Sequence, residues 1–350
     1  MEIDYLIIGQ GLAGSILSYE LIKRGRRVVV MNDSNVHSSS RAAAGIFNPI
    51  TGRKMVKTWM AHELFPYLRT FYKDLETTLK TKFYHPTSIY RPYISIEEQN
   101  EWMGKSAMED YAPFIHHNYL QPVYKEFVND DYGGLELKQG GYVDTKKLLD
   151  SYRNLLISKN GYKEEYFDEA KLEFEADGLK YDGISARKVI FCDGPSGKDS
   201  KFFSWLPYRT VKGETLIIEP EKDFSVIFNR GVFILPTIQG TYRVGATYDW
   251  KDTSLEVTES AKKQLVEKLD LLLKTKYKII DQVAGHRPAT KDRRPFVGQH
   301  PEMGTLCIFN GFGTKGVSLI PYFAKEFCDF LECNKNLNNE VNITRYFSLY

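Results

Sequence analysis

The sequence predicts an α/β protein with a second domain of the α+β type, built on an antiparallel sheet. Short, mostly apolar runs typical of buried parallel strands occur near the beginning, middle and end of the chain, at residues 3–8, 188–192 and 306–309. A β-rich stretch at residues 208–250 lies between the last two. The expected division is 1–80, 140–207 and 285–350 for the first domain and 81–139 and 208–284 for the second.

Composition excludes several classes of protein. The 350 residues are 42% hydrophobic and carry a net charge of +2, so the overall charge does not require a nucleic-acid partner, although a local basic patch stays possible. Apolar runs fall short of the roughly 18–20 residues of a membrane span. The four cysteines have neither CxxC nor metal-site spacing, so we expect no metal. The opening residues predict a core strand rather than a signal peptide, which favours a cytoplasmic location.

The first element is a βαβ unit. A strand at residues 3–8, a helix at 15–24 and a strand at 28–31 surround the turn GQGLAG. In this Rossmann-type arrangement Gly9 permits the tight turn, Gly11 lets a pyrophosphate approach the backbone, and Gly14 allows the helix and strand to pack closely. Leu12 and Ala13 belong to this turn, just before the helix, whose free N–H groups favour phosphate. The unit therefore predicts a dinucleotide site.

The end of the second strand departs from the usual pattern. An acidic residue normally stands there and binds the adenosine ribose, but this sequence has Asn32, followed by Asp33. An asparagine amide both donates and accepts hydrogen bonds, so Asn32 can take the role. A shift of register would give it to Asp33, and the sequence leaves both possibilities open.

The remaining elements follow in chain order. Residues 58–130 look helical and irregular, and the segment GGYVD at 140–144 leads into a helix at 146–157. The β-rich stretch contains predicted strands at 215–219, 226–228, 232–235 and 242–247. An amphipathic helix is expected at 261–273. The last buried strand passes through GFGTKG into a helix at 317–331.

Taken together, the ordered motifs resemble the FAD-dependent D-amino-acid oxidase superfamily, which includes glycine oxidase and sarcosine oxidase. The similarity spans nearly the whole chain. Its blocks are GQGLAG at 9–14, residues 38–45, GGYVD at 140–144, VIFCDG at 189–194, KGE at 212–214, VGAT at 244–247, GHRPATKD at 285–292, PFVG at 295–298 and GFGTKG at 311–316.

The resemblance implies FAD as the cofactor and oxidation of a small amine or amino acid, by hydride transfer to flavin N5 and hydrolysis of the resulting imine. Oxygen or a quinone would accept the electrons. Beyond the first turn, the implied cofactor-binding residues are Ser40, Arg41, Ala44, Gly45, Asp193, Gly194, Gly311, Gly313, Thr314, Lys315, Gly316 and Val317. Backbone N–H groups at the start of the last helix would stabilise negative charge on the reduced flavin.

Two arginines are the implied catalytic residues. Arg287, in the Arg-Pro dipeptide of GHRPATKD, matches the arginine that binds the substrate carboxylate in glycine-oxidase-like members. Its guanidinium would fork onto that carboxylate with two hydrogen bonds. Arg243, two residues before Gly245, stands near the place where sarcosine oxidases have a flavin-proximal lysine.

Two alternatives stay open. GFGTKG also resembles the FAD domain of the bifunctional enzyme that oxidises a carboxymethylamino group on tRNA wobble uridine. A flavin-binding sensor or scaffold without turnover is the alternative of another class. Net charge makes a nucleic-acid partner the less favoured reading, and steep salt dependence of tRNA binding would reverse that preference.

Overall fold

The computed structural model describes residues 1–52, 54–237 and 240–350. Within these ranges, two eight-stranded sheets organise the fold. In chain order the strands within these ranges are β1 (Glu2–Ile8), β2 (Val28–Asn32), β3 (Ile46–Phe47), β4 (Ile50–Thr51), β5 (Val56–Lys57), β6 (Tyr84–Pro86), β7 (Ile89–Pro92), β8 (Ile115–Tyr119), β9 (Gly134–Leu137), β10 (Gly141–Val143), β11 (Tyr162–Glu164), β12 (Glu173–Glu175), β13 (Gly178–Tyr181), β14 (Ile184–Phe191), β15 (Val211–Pro220), β16 (Ile227–Arg230), β17 (Val232–Pro236), β18 (Tyr242–Gly245), β19 (Tyr277–Arg287), β20 (Phe296–Gln299) and β21 (Leu306–Asn310).

The α-helices are α1 (Leu12–Lys23), α2 (Ser39–Ala42), α3 (Ala61–Leu79), α4 (Ile96–Lys105), α5 (Thr145–Ser158), α6 (Glu259–Asp270) and α7 (Gly316–Cys333). They vary from α1, which is buried over most of its length, to the short α2, which has no buried residue. Helices α1 and α7 contact each other beside the first sheet. Within the ranges described, every helix is too short or too polar to cross a membrane.

The first sheet is parallel at its centre. Strands β11, β2, β1, β14 and β21 lie side by side in parallel pairs, and antiparallel strands extend the sheet at β13 and β20. The central strands are buried because both faces are covered, which explains their nearly continuous apolar sequences. This sheet confirms the predicted α/β class.

The second sheet has the order β19-β15-β18-β17-β16-β7-β9-β8, and all neighbours except β16 and β7 are antiparallel. Its strands come from residues 89–137 and 211–287, whereas those of the first sheet come from residues 2–32, 162–191 and 296–310. The division of the chain into a first domain (1–80, 140–207 and 285–350) and a second domain (81–139 and 208–284) is a proposal.

The sequence-based prediction was wrong for residues 58–130, and it missed several strands elsewhere. Residues 58–130 contain strands β6, β7 and β8 as well as helices. These short strands hold His, Pro and Tyr instead of an alternating apolar pattern, so the sequence does not indicate them. Strand β19 was missed as well. It is an edge strand without a buried residue, so its sequence shows little apolar alternation.

Candidate cofactor and substrate site

A cavity of about 1480 Å³ lies between the carboxyl ends of the central parallel strands and one face of the second sheet. That volume exceeds the roughly 300–1,000 Å³ of ordinary ligand pockets, so it has room for a dinucleotide and a substrate. The predicted residues that line it are Gly9, Gly11, Leu12, Ala13, Asn32, Asp33, Ser40, Ala44, Gly45, Asp193, Gly194, Arg243, Arg287, Gly313, Thr314, Lys315, Gly316 and Val317. Gly14, Arg41 and Gly311 lie behind this lining.

The turn before α1 is formed by glycines in close contact with their surroundings. Gly9 has φ +100°, and a Cβ there would lie 2.7 Å from the carbonyl oxygen of Cys192. A Cβ at Gly14 would overlap the carbonyl group of Gly9, so Gly14 serves the packing of the turn instead of lining the cavity. Gly11 stands at the N-cap of α1, and the first turn of the helix contains no acidic residue. The helix start is thus open to an anion.

Asn32 and Asp33 both line the cavity, but their side chains already have different partners. Asn32 Oδ1 accepts a hydrogen bond of 2.9 Å from the Gln10 N–H, which ties the end of β2 to the glycine turn. Asp33 Oδ1 accepts from the backbone and side-chain nitrogens of Asn35, at 2.8 and 2.9 Å. The carboxylate of Asp33 is thereby engaged in its own exposed turn. Ribose binding by Asn32 stays a prediction.

The segment around α2 connects the glycine turn to the rest of the cavity. Ser40 Oγ accepts a 2.9 Å hydrogen bond from the Leu12 N–H at the start of α1. Arg41 turns away from the cavity, and its Nη2 lies 2.5 Å from Asp150 Oδ1 on α5. Ser39 Oγ and His37 Nε2 are buried at the cavity without a hydrogen-bond partner in the described part of the chain. Such orphaned polar atoms fit a site that holds a polar cofactor.

The turn between β21 and α7 combines positive-φ glycines with a half-buried lysine. Gly311 and Gly313 have φ values of +78° and +54°, and the Gly313 N–H donates to the Pro288 carbonyl oxygen at 3.0 Å. Lys315 Nζ donates to Thr58 Oγ1 at 2.9 Å and Thr51 Oγ1 at 3.1 Å. Burial, with a smaller effect of Arg294, lowers the pKa of Lys315 to about 8. The lysine therefore places a readily neutralised amine at the helix start.

Asp193 lies at the end of β14, close to the neighbouring strand end. Its Oδ1 accepts from Asn310 Nδ2 at 2.8 Å, and the same amide donates to the Gly194 carbonyl oxygen at 2.9 Å. Burial is the main reason that the pKa of Asp193 is raised to about 7. Asn310 is not among the residues predicted from the sequence, because only the pairing of β14 with β21 brings it to Asp193.

On the opposite side of the cavity, Arg287 lies over the second sheet. Its Nη1 donates to the carbonyl oxygens of Thr247 at 3.0 Å and Lys212 at 3.4 Å, and its Cζ lies 4.2 Å from the ring centroid of Tyr248. The guanidinium covers Gly213, where a Cβ would overlap it. Burial lowers the pKa of Arg287, and no ion pair reaches its side chain from residues 1–52, 54–237 or 240–350. A half-buried cation with unused donors therefore faces the cavity.

Arg243 belongs to the same sheet face but uses its donors differently. Its Nε donates to Thr215 Oγ1 at 3.1 Å, while Nη1 and Nη2 donate to the carbonyl oxygens of Ala43 and Ala42. Burial and the nearby Arg287 lower its pKa to about 10. These bonds fasten the segment after α2 to β18. A direct role for Arg243 beside the flavin remains a prediction.

Comparison with known structures shows the same fold in other proteins. Glycine oxidase from Bacillus cereus gives a TM-score of 0.76 at 21% identity, covering 95% of this chain and 96% of that one. Iminodiacetate oxidase from Chelativorans sp. gives a TM-score of 0.79 at 19% identity, covering 98% of both chains.

Sequence comparison finds relatives of greater length. The tRNA 5-methylaminomethyl-2-thiouridine biosynthesis bifunctional protein of Campylobacter jejuni subsp. doylei is 24% identical over 305 residues, covering 83% of this chain and 45% of that protein. The protein of that name from Legionella pneumophila subsp. pneumophila is 21% identical over 320 residues, with coverages of 85% and 45%. The chain therefore spans about half the length of these curated relatives.

A family model described as FAD dependent oxidoreductase matches residues 4–330, which include both sheets and nearly all of α7. The match covers the glycine turn, the sheet face with both arginines and the turn before α7. It also favours an enzyme over a flavin-binding sensor or scaffold. The chain belongs to the DAO family of FAD-dependent oxidoreductases.

Proposed function

We propose that this oxidoreductase acts on a small amine or amino acid that carries a carboxylate next to the reacting carbon. The observation that supports it is Arg287, a half-buried guanidinium without a carboxylate partner among the described residues, on the face of the cavity opposite the glycine turn. A buried cation is costly unless it is paired, so an anionic ligand group is its natural complement. Oxygen or a quinone is the proposed electron acceptor.

When bound, FAD supplies the acceptor for a hydride. Arg287 binds the substrate carboxylate through the donors that the Thr247 and Lys212 carbonyls leave free, and so fixes the direction of the adjacent C–H bond. Tyr248 packs against the guanidinium and restricts its movement. Arg243 holds the segment after α2 against the sheet and adds positive potential. Loss of hydride from the neutral amine would give an iminium ion, which water would hydrolyse to a carbonyl compound and an ammonium ion.

Replacement of Arg287 tests this role. We expect Arg287→Ala to reduce the second-order rate constant of flavin reduction by a carboxylated amine about a hundredfold or more, because a desolvated charge-assisted pair is lost. Arg287→Lys should recover only part of the loss, since an ammonium keeps the charge but cannot form the two parallel hydrogen bonds of a guanidinium. The measurement is anaerobic rapid mixing with amino acids and N-alkyl glycines.

The control is Arg209→Ala, which removes an exposed arginine near the cavity mouth and should react like the wild type. An Arg287→Ala enzyme with unchanged rate and saturation would rule out the carboxylate role. A substrate without a carboxylate would then become the better proposal.

A second candidate is oxidation of the carboxymethylaminomethyl group on tRNA wobble uridine. Similarity to the longer tRNA-modification proteins favours it. That group contains a secondary amine and a carboxylate, so Arg287 would bind it in the same way. Tight binding of tRNA that weakens steeply with salt, together with flavin reduction by tRNA bearing this group, would support the candidate.

A further inference from the structure

Three segments meet at the mouth of the cavity, beside Arg287. Backbone hydrogen bonds join Arg209 to Ala289 at 2.8 Å and Lys291 to Pro207 at 3.1 Å. Reciprocal bonds of 2.9 Å join Lys212 and Asp249. Residues 207–212, 247–251 and 287–293 therefore form one continuous surface. We call its exposed cationic and aromatic side chains the mouth rim: Arg209, Tyr248, Trp250, Lys251, Lys291 and Arg293.

Two aromatic rings of the mouth rim are exposed. Tyr248 is 59% exposed and Trp250 is 46% exposed. Each ring has an arginine on it: Arg287 Cζ lies 4.2 Å from the Tyr248 centroid, and Arg209 Cζ lies 4.4 Å from the Trp250 centroid. A large aromatic ring that is exposed does not gain the free energy of burial. A ring with a guanidinium group on one face is, however, suited to stack another planar group.

The mouth rim carries a net positive charge. Arg209, Lys251, Lys291 and Arg293 are exposed and form no ion pair within the described ranges. The neighbouring carboxylates have other partners, because Asp252 pairs with buried Lys212 at 2.5 Å and Asp292 pairs with Arg345 at 2.9 Å. Asp249 accepts hydrogen bonds from the backbone of Lys251 and Asp252.

We propose that the mouth rim binds single-stranded RNA, with a base stacked on Trp250 or Tyr248 and phosphates against the four cations. Clustered cations attract any polyanion, but exposed rings among them favour one that carries planar bases. A base stacked beside Tyr248 would place its substituent at Arg287, so the rim deepens the second candidate function and rests on it. The net charge of the whole chain does not indicate this surface, because the excess of positive charge is confined to the mouth rim.

The test uses the FAD-loaded full chain and a fluorescein-labelled RNA hairpin with a uridine-containing loop. We expect saturable binding at low salt, stronger than that of a blunt duplex with the same stem. Trp250→Ala should weaken hairpin binding about tenfold because a stacked base is lost. The double variant Lys251→Ser with Lys291→Ser should reduce the slope of log affinity against log salt by about 1.4, at about 0.7 per phosphate contact.

Matched controls come from the other edge of the second sheet. Tyr132→Ala removes a ring that is 42% exposed, and Lys125→Ser with Lys138→Ser removes two exposed lysines. These variants should bind the hairpin like the wild type. Trp250→Ala should also keep wild-type flavin reduction by a free carboxylated amine, since Trp250 lies outside the cavity lining.

Equal binding of hairpin and duplex, or wild-type affinity in both rim variants, would overturn the proposal. If the hairpin does not bind but a free amine reduces the flavin in an Arg287-dependent way, the rim proposal fails while the main proposed function stands. If the hairpin binds through the rim but no carboxylated amine reduces the flavin, the RNA surface stands and the proposed chemistry fails.

Discussion

At its glycine-turn end (residues 9–14, 32–45, 193–194 and 311–317) the cavity offers backbone groups and small residues. At its sheet end (Gly213, Thr215, Phe233, Arg243 and Arg287) it offers the side chains of two arginines on the face of a sheet. The first end is made of four short continuous segments, whereas at the second end single residues of different strands are brought together by strand pairing. A ligand that binds to backbone groups must approach the chain closely, so this end depends on residues without large side chains. A ligand that binds to side chains depends on the neighbouring residues that hold those side chains in place.

The largest effect should come from filling the glycine-turn end. Gly11→Val should yield mostly apoprotein, because a Cβ there already lies 3.1 Å from Ser40 Oγ and the branched methyl groups would occupy the space for pyrophosphate. The measurement is flavin absorbance per protein after purification, with circular dichroism to check folding. Gly104→Val is the control, since that glycine has open space around it. Full flavin occupancy in Gly11→Val would contradict the assignment of this end to the cofactor.

A smaller effect should come from Gly213 at the sheet end. Gly213→Ala places a methyl group where the guanidinium of Arg287 lies, so Arg287 must move. We expect the rate constant for flavin reduction by a carboxylated amine to fall between about ten- and a hundredfold, with flavin content unchanged. An amine without a carboxylate should react with Gly213→Ala as it does with the wild type.

A double-variant cycle separates this positioning role from general damage. If Gly213 acts through Arg287, then Gly213→Ala should cause no further loss in the Arg287→Ala background. Additive losses in the double variant would show that the methyl group acts elsewhere. Gly104→Ala is the matched control because its added Cβ contacts nothing within 4 Å.

The two ends also differ in how far the sequence predicts them. The turn GQGLAG and the turn before α7 are local patterns, so their positions at the cavity follow once strand and helix are recognised. Gly213 appears within the KGE block without a visible role, because the pairing of Val211 with Arg287 is what lays the guanidinium over it. The edge strand β19 has no regular apolar alternation, so neither its existence nor its register could be inferred from apolar periodicity.

The smallest predicted effect tests the polar link between the strand ends at the glycine-turn end. The pKa of Asp193 is raised to about 7, chiefly by burial, so the folded apoprotein holds a proton that the unfolded chain releases near pH 4. The sign follows from linkage: this group stabilises the fold fully below the unfolded pKa, and the contribution disappears as pH rises through about 7. Asp193→Asn should therefore become more stable relative to the wild type as the pH rises from 4 to 7, by a few degrees in Tm.

The amide oxygen of the new asparagine can still accept a hydrogen bond from Asn310. The control variant Asp199→Asn corrects for the loss of one carboxylate from the same segment. Thermal unfolding of apoproteins across this pH range measures the difference, and a difference that stays constant with pH would show that Asp193 is already ionised in the fold.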